Sequence, residues 1–197
     1  MTRDELCSKG TIFLDKEGYV FSRYEVTEQD LYFKAWSETF ENSPILNDEN
    51  FKWKSWEDAL SDTNKLQLKV VDKCTKKYVG EVALMKLDSG MPELGIQLLR
   101  KYQGQGIGTR VMRLFVNQLK SIMEVEFFLV RIRSDNHVSQ RMFEKMGVIK
   151  IGEEGKEYAE LMCEFMQNMG KEKFEKVIKE DFESTQVYTL CYKLPVV

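Results

Sequence analysis

One stretch restricts the fold of this chain more than any other: Leu98-Leu99-Arg100-Lys101-Tyr102-Gln103-Gly104-Gln105-Gly106-Ile107-Gly108-Thr109-Arg110. The apolar residues Leu94, Ile96, Leu98 and Leu99 read as a strand. Behind the loop, Val111, Leu114, Phe115, Leu119 and Ile122 recur at the spacing of one buried helical face, which predicts a helix over 109–124. Between the two stand Gly104, Gly106 and Gly108 at alternate positions. Glycine allows positive φ and a close approach of the backbone to a ligand. A helix start offers unpaired N–H groups and the positive end of the helix dipole. Strand, glycine loop and helix together suit a phosphate or pyrophosphate.

Two familiar phosphate loops do not fit. A P-loop needs a Gly-Lys pair followed by Ser or Thr, and none stands here. A dinucleotide fingerprint needs a third glycine, which falls on Thr109 when counted from Gly104 and on Val111 when counted from Gly106. What fits is Gln-x-x-Gly-x-Gly, on Gln103, Gly106 and Gly108. This spacing after an apolar strand resembles the acetyl-CoA pyrophosphate loop of the GNAT superfamily of N-acyltransferases. The plain alternative is a glycine-rich turn that only joins strand to helix.

The chain of 197 residues is long enough to bury a core and reads as one domain, 1–197. A 43% hydrophobic and 31% charged composition is that of a globular protein in water. The net charge of −3, with both signs mixed, gives no strong field for nucleic acid or a membrane surface. No signal-peptide core and no apolar run near the ~20 residues of a membrane span are present. Cys7, Cys74, Cys163 and Cys191 are scattered, which favours free thiols in a reducing cytoplasm. His137 is the single histidine, so a histidine metal cluster is excluded and no metal is expected.

In order along the chain, Tyr19–Thr27 reads as a strand, with a shorter one at Thr11–Leu14. Thr27 and Asp30 mark the start of a helix carrying Leu31, Ala35, Trp36 and Phe40. Asp48 or Asn50 opens a second helix, with Phe51, Trp53, Trp56 and Leu60. These aromatics read first as core. Leu66–Val71, Tyr78–Leu87 and Glu93–Leu99 form an antiparallel meander with turns at Asp72–Lys77 and Asp88–Pro92. Glu126–Arg133 is a further strand. Asp135 or Asn136 caps a helix with the stripe Val138, Met142 and Met146, stopped at Gly147. Tyr158, Leu161, Met162, Phe165, Met166 and Met169, then Phe174, Val177, Ile178 and Phe182, predict a helical insert over about 157–183. Thr185–Leu194 reads as the closing strand.

Asn136, Ser139, Phe143, Glu144, Lys145, Gly147 and Val148 resemble the second signature of the same superfamily. The resemblance covers about residues 19–152 and implies a mixed α/β (α+β) fold. Its sheet is twisted, mostly antiparallel and flanked by helices, with the insert ahead of the last strand. The branch closest in pattern is that of ribosomal-protein N-terminal acetyltransferases. The implied reaction is attack of a primary amine, on a protein N-terminus or a small molecule, on the thioester of acetyl-CoA as co-substrate. The first helices of such proteins border the acceptor site, where Glu38, Glu41, Asp48 and Glu49 would attract a cationic amine; a solvated helix surface explains these residues equally well. Dimers are frequent among relatives, so a homodimer stays open.

A lysine-type amine with a pKa of ~10.4 is almost wholly protonated at pH 7. Transfer therefore needs a base. By the resemblance this is Glu93, at the start of the strand entering the loop, with Glu81 second. An oxyanion donor is expected among the backbone amides of Leu98 and Leu99. The amides from Gln103 through Gly104, Gln105, Gly106, Ile107 and Gly108 to Thr109 are expected to hold the pyrophosphate, with Arg100 or Lys101 near the 3′-phosphate. Asn136 is expected on the pantetheine arm or as a helix cap. Many relatives carry tyrosine where Phe143 stands, so the proton for the departing sulfur has no donor there. Ser139 or water is left for that role; without any donor, a thiol of pKa ~8.5 leaves at a cost of about 2 kcal/mol. The alternative is an acyl-CoA-binding protein with weak or no turnover.

Overall fold

The structure is a computed structural model and describes residues 4, 6, 15–16, 18–39, 44–157 and 187–196. The chain falls into two compact units: the described residues up to Phe128 with Val196, and Leu129–Pro195. The fold is mixed α/β, with mostly antiparallel strands flanked by helices.

In the first unit, β1 (Asp15–Lys16) and β2 (Tyr19–Ser22) lead to α1 (Gln29–Thr39), a 3-10 turn (Pro44–Asn47) and α2 (Glu49–Ser61). Then come β3 (Lys65–Asp72), β4 (Tyr78–Met85) and β5 (Glu93–Leu98), a second 3-10 turn (Arg100–Tyr102) and α3 (Ile107–Ile122). The strands pair antiparallel in chain order, β1 through β5. The first strand is thus shorter than Tyr19–Thr27. The central helix starts two residues before Thr109, which puts Ile107 and Gly108 in its first turn. Thr11–Leu14 lies outside the described residues.

Register and alternation separate the two faces of this sheet. Phe21, Val70, Val82, Leu84, Leu94 and Leu98 share one face. Phe21 stacks on Phe115 of α3 at 6.5 Å, so this is the α3 face. Val111, Met112, Phe115 and Leu119 bury against it. The other face carries Gln67, Glu81 and Gln97 and is covered by α1 and α2. There Tyr24, Tyr32, Ala35, Trp56, Ala59, Tyr78 and Leu99 form a second apolar cluster. The expectation that the early aromatics are core holds for Trp56, while Trp53 is 63% exposed.

One irregularity interrupts the alternation. Val71 pairs with Tyr78 but Val70 pairs with Gly80, so Val79 is an extra residue on β4. The bulge turns Tyr78 onto the same face as Glu81. Gly80 has φ +153, and a Cβ there would lie 2.1 Å from the Gln97 carbonyl oxygen. Only glycine allows β4 and β5 to approach so closely at this pair.

The second unit holds β6 (Phe127–Arg133, whose first two residues belong to the first unit), α4 (His137–Glu144), β7 (Ile149–Glu154) and β8 (Thr189–Pro195). β8 lies between β6 and β7 and pairs antiparallel with β7. The sequence gives little sign of β7, which is exposed along nearly its whole length. The α4 stripe differs from the expected one: Val138 is 52% exposed, whereas Phe143 is 3% exposed and is the buried residue of this helix. Apolar spacing alone misassigned the face, because α4 is only 8 residues long and buries one side chain. Most of the expected insert, from residue 158 on, lies outside the described residues. Among the described residues, no helix is long and apolar enough to cross a membrane.

Candidate active site

The glycine loop begins where β5 stops. The Leu99 N–H donates to the Val79 carbonyl at 3.0 Å, the last bond between β4 and β5. In an antiparallel ladder the neighbouring amide then turns the other way. The Leu98 amide therefore points off β4, while the Leu99 amide is already spent. The chain turns through Arg100–Tyr102. The Gln103 side chain folds back, its Nε2 donating to the Leu98 carbonyl at 2.8 Å. The Gln105 Nε2 does the same to the Lys101 carbonyl at 2.6 Å. These two amides hold the loop rigid from both sides.

Gly104 and Gly106 have φ +71 and +75, and a Cβ on either would meet no atom within 4 Å. Their glycine identity is thus set by backbone angle, and the space above them is open. Gly106 is the N-cap of α3 and offers no side-chain bond. The contrast with the neighbouring helices is informative. Asp48 Oδ1 caps α2 by accepting from the Asn50 and Phe51 amides at 2.8 and 3.2 Å. Asn136 Oδ1 caps α4 by accepting from the Ser139 amide at 3.0 Å. The α3 start alone among these is left to an outside acceptor, and the amides of Ile107, Gly108 and Thr109 have no carbonyl a turn earlier. An anion with several oxygens fits this donor set.

Arg100 is tied to the end of α1. Its backbone N–H donates to Glu38 Oε2 at 2.6 Å and its guanidinium to the Glu38 carbonyl at 3.1 Å. Lys101 lies over the Tyr102 ring at 4.9 Å. Ser37, Glu38, Arg100 and Lys101 line a cleft of about 520 Å³.

The two candidate carboxylates sit in different surroundings. Glu93 is paired with Lys86 at 2.7 Å and lies opposite Met85, at the far end of β5 from the loop. Four residues of strand, about 14 Å, separate it from Gln97. Glu81 lies opposite Gln97, beside the loop end, and is 5% exposed. The Tyr24 hydroxyl donates to its Oε2 at 2.7 Å and the Trp36 Nε1–H to its Oε1 at 3.3 Å. Gln67 donates to both Glu81 and the Tyr32 hydroxyl, which leaves the buried Gln67 Oε1 without a partner among the described residues. Burial lifts the Glu81 carboxyl above the ordinary range. The bonds from Tyr24 and Gln67, the charge of Lys65 and the bond from Trp36 oppose that without cancelling it. Tyr24 and Tyr78 share a hydrogen bond of 2.9 Å, and burial raises both phenols.

Of the remaining expected residues, Asn136, Ser139 and Phe143 all lie on or beside α4 in the second unit. Asn136 acts as the cap, Ser139 is the residue it caps, and Phe143 is core. His137 is exposed at the helix start. What sequence reasoning missed is the pair Tyr24 and Tyr78; the glycine at position 80 was the available signal for the bulge that brings Tyr78 round.

A strand running into an uncapped helix through left-handed glycines is a βα unit suited to an anion, and a buried carboxyl stands beside it. The family model of the acetyltransferase (GNAT) domain matches residues 16–149, and the chain belongs to that family. It is an acyltransferase. Solved structures agree on the fold. A chimera of the spermidine N-acetyltransferase SpeG from Vibrio cholerae and hSSAT matches with a TM-score of 0.66, 11% identity and coverage of 91% of this chain and 96% of that one. A GNAT-family acetyltransferase from Bacillus anthracis matches with a TM-score of 0.64, 14% identity and coverage of 93% and 98%. A domain from Methanocaldococcus jannaschii has 19% identity, a TM-score of 0.57 and coverage of 89% and 98%. No curated protein matches in sequence.

Proposed function

We propose that this protein moves the acetyl group of acetyl-CoA to a primary amine by direct attack in a ternary complex. Glu81, rather than Glu93, is the final acceptor of the amine's proton. The observation that carries the reading is the bare N-terminus of α3 immediately after β5, with glycines at Gly104 and Gly106 held left-handed. The amides from Gln103 to Thr109 would hold the diphosphate of the co-substrate. The Leu98 amide, turned off β4, is the oxyanion donor. A carboxyl lifted by burial holds protons more tightly than an ordinary one, which suits a base working near neutral pH. Glu93, already paired with Lys86, has an ammonium where a substrate amine would have to stand. With Phe143 offering no proton, the thiolate leaves unassisted or takes its proton from water, at about 2 kcal/mol.

Spermidine is the first amine to test, because spermidine acetyltransferases share the fold. The second signature keeps a peptide with a free α-amine in the panel. The experiment is acetyl-CoA binding by calorimetry together with thiol release in the presence of each amine. Binding with turnover supports the reading, and binding without turnover converts the protein into an acyl-CoA carrier. Glu81→Gln should keep co-substrate affinity and lose most of the rate. If Glu93→Gln causes the larger loss, the proton goes to Glu93 instead.

A further inference from the structure

What keeps a substrate from Glu81 is the set of donors on its carboxylate and not depth, since Tyr78 is nearly as buried, at 8% exposure against 5%. Tyr24, Trp36 and Gln67 all donate to it, which leaves no open side for an ammonium group. A proton bound for it must pass through a neighbour. Trp36 and Gln67 are N–H donors with no proton to exchange at neutral pH. Tyr24 is a hydroxyl, which can give one proton and take another.

Resting on the transferase reading, we propose that Tyr78 and Tyr24 form a two-hydroxyl relay that carries the amine's proton from the acceptor site to Glu81. Bond direction supports this. Tyr24 has one hydroxyl hydrogen, and it is spent on Glu81. In the 2.9 Å contact between the phenols, Tyr78 is therefore the donor. The outer oxygen of the wire, on Tyr78, is left with lone pairs to accept a hydrogen bond from an ammonium. Position supports it too. The bulge at Val79 turns Tyr78 onto the Glu81 face, next to the pair Gly80 and Leu98 where β5 ends. Glu38, which lines the cleft, acts electrostatically on Tyr78.

The ammonium's first proton passes to the Tyr78 oxygen as the Tyr78 proton passes to Tyr24 and the Tyr24 proton to Glu81, which frees the nitrogen lone pair. The lone pair forms the bond to the thioester carbon, the C–S bond breaks with its electron pair leaving on sulfur, and the nitrogen's second proton passes through water to that sulfur. Burial raises both phenols, so the protons move together and no tyrosinate is formed. Other ionisable groups act on the wire: Tyr32 and Glu38 on α1 and Lys65 on β3, while Asp58 on α2 and Asp62 after it act on Lys65. None of them interrupts the hydroxyl chain.

The test uses two amines that differ in whether a proton must leave before the nitrogen can attack. Spermidine is an ammonium at pH 7; hydroxylamine is already neutral. Tyr78→Phe leaves the Tyr24–Glu81 bond intact. It should lower the spermidine rate at least about tenfold and change the hydroxylamine rate by less than about threefold. Tyr24→Phe should show the same selectivity. The double variant should be no slower than either single one, because links in series fail once. Equal losses on both amines, losses that multiply, or an unchanged spermidine rate would overturn the relay. A Tyr78→Phe protein that keeps its rate while Glu81→Gln loses it refutes the relay and leaves Glu81 as base. Wild-type turnover of no amine in the panel, the peptide included, refutes the transferase reading and the relay with it. Calorimetry with acetyl-CoA checks that each variant is folded; should Tyr24→Phe fail to fold, Tyr78→Phe alone decides.

Discussion

Gly106→Ala separates what the loop does for the fold from what it does for a ligand. Gly106 has φ 75 and ψ −3 at the head of α3. An L-residue in that region costs about 1–2 kcal/mol. A Cβ there meets nothing within 4 Å, so this strain is the whole cost to the fold. For a chain of this size, that lowers Tm by about 2–8 °C. Gly90, in the turn between β4 and β5, is a matched control: φ is +69 and a Cβ again meets nothing within 4 Å. Gly90→Ala should lose a similar Tm. The two variants should part on acetyl-CoA. If the diphosphate rests on the amides around Gly106, a methyl group displaces it from at least one charge-assisted bond, worth about 1.5–3 kcal/mol. Kd should then rise about tenfold to a hundredfold for Gly106→Ala and stay level for Gly90→Ala. Scanning and titration calorimetry on the three proteins give all the numbers. Matched Tm losses with unchanged affinity in both variants would refute a diphosphate site at this loop.

Two further outcomes follow from the same unit. Gly80→Ala should cost about 3 kcal/mol or more, seen as a collapse of the urea midpoint, because its Cβ would stand 2.1 Å from a backbone oxygen that cannot move aside. Glu81→Gln should melt higher than the wild type at pH 7 and the same near pH 4. The unfolded carboxyl titrates near ~4.3 and the folded one higher. Between those values the folded state keeps a proton that the unfolded state has lost, so wild-type stability falls as pH rises through this window. A thermal midpoint for Glu81→Gln that tracks the wild type at every pH would show that Glu81 does not titrate out of range.

The loop was legible because glycine reports backbone angle directly. Gly104 and Gly106 are both left-handed, and their spacing already implied a tight lead into a helix. The caps at Asp48 and Asn136 were legible for the same local reason: a short acceptor side chain ahead of an apolar period. Glu81 was harder to weigh. Strict alternation along β4 sets Tyr78 and Glu81 on opposite faces, and only the extra residue Val79 reverses that. Tyr24 lies beyond the end of β2 and reaches Glu81 across 57 positions of sequence, a closure no local pattern encodes. The Lys86–Glu93 pair that occupies the expected base forms across a hairpin turn whose register also had to be known.

Two costly choices lie on adjacent rungs of one ladder. Gly80 pairs with Leu98, and Glu81 pairs with Gln97. At the first, glycine gives up strand stability so that the backbones can close at the point where the loop departs. At the second, a carboxylate is buried, its two oxygens accepting from Tyr24 and Trp36, at the cost of holding a charge out of water. A further sacrifice follows within the same loop: α3 takes glycine at its N-cap, where Ser or Asp would add about 1 kcal/mol. Each departure is open to a single substitution, and together they gather a row of amides at the α3 start, a Leu98 amide turned off β4 and a buried carboxyl one strand over. Local rules broken together at one end of a strand are what a reaction site demands. A transferase that must hold an anionic tail, polarise a carbonyl and discharge an ammonium needs these three groups in this order.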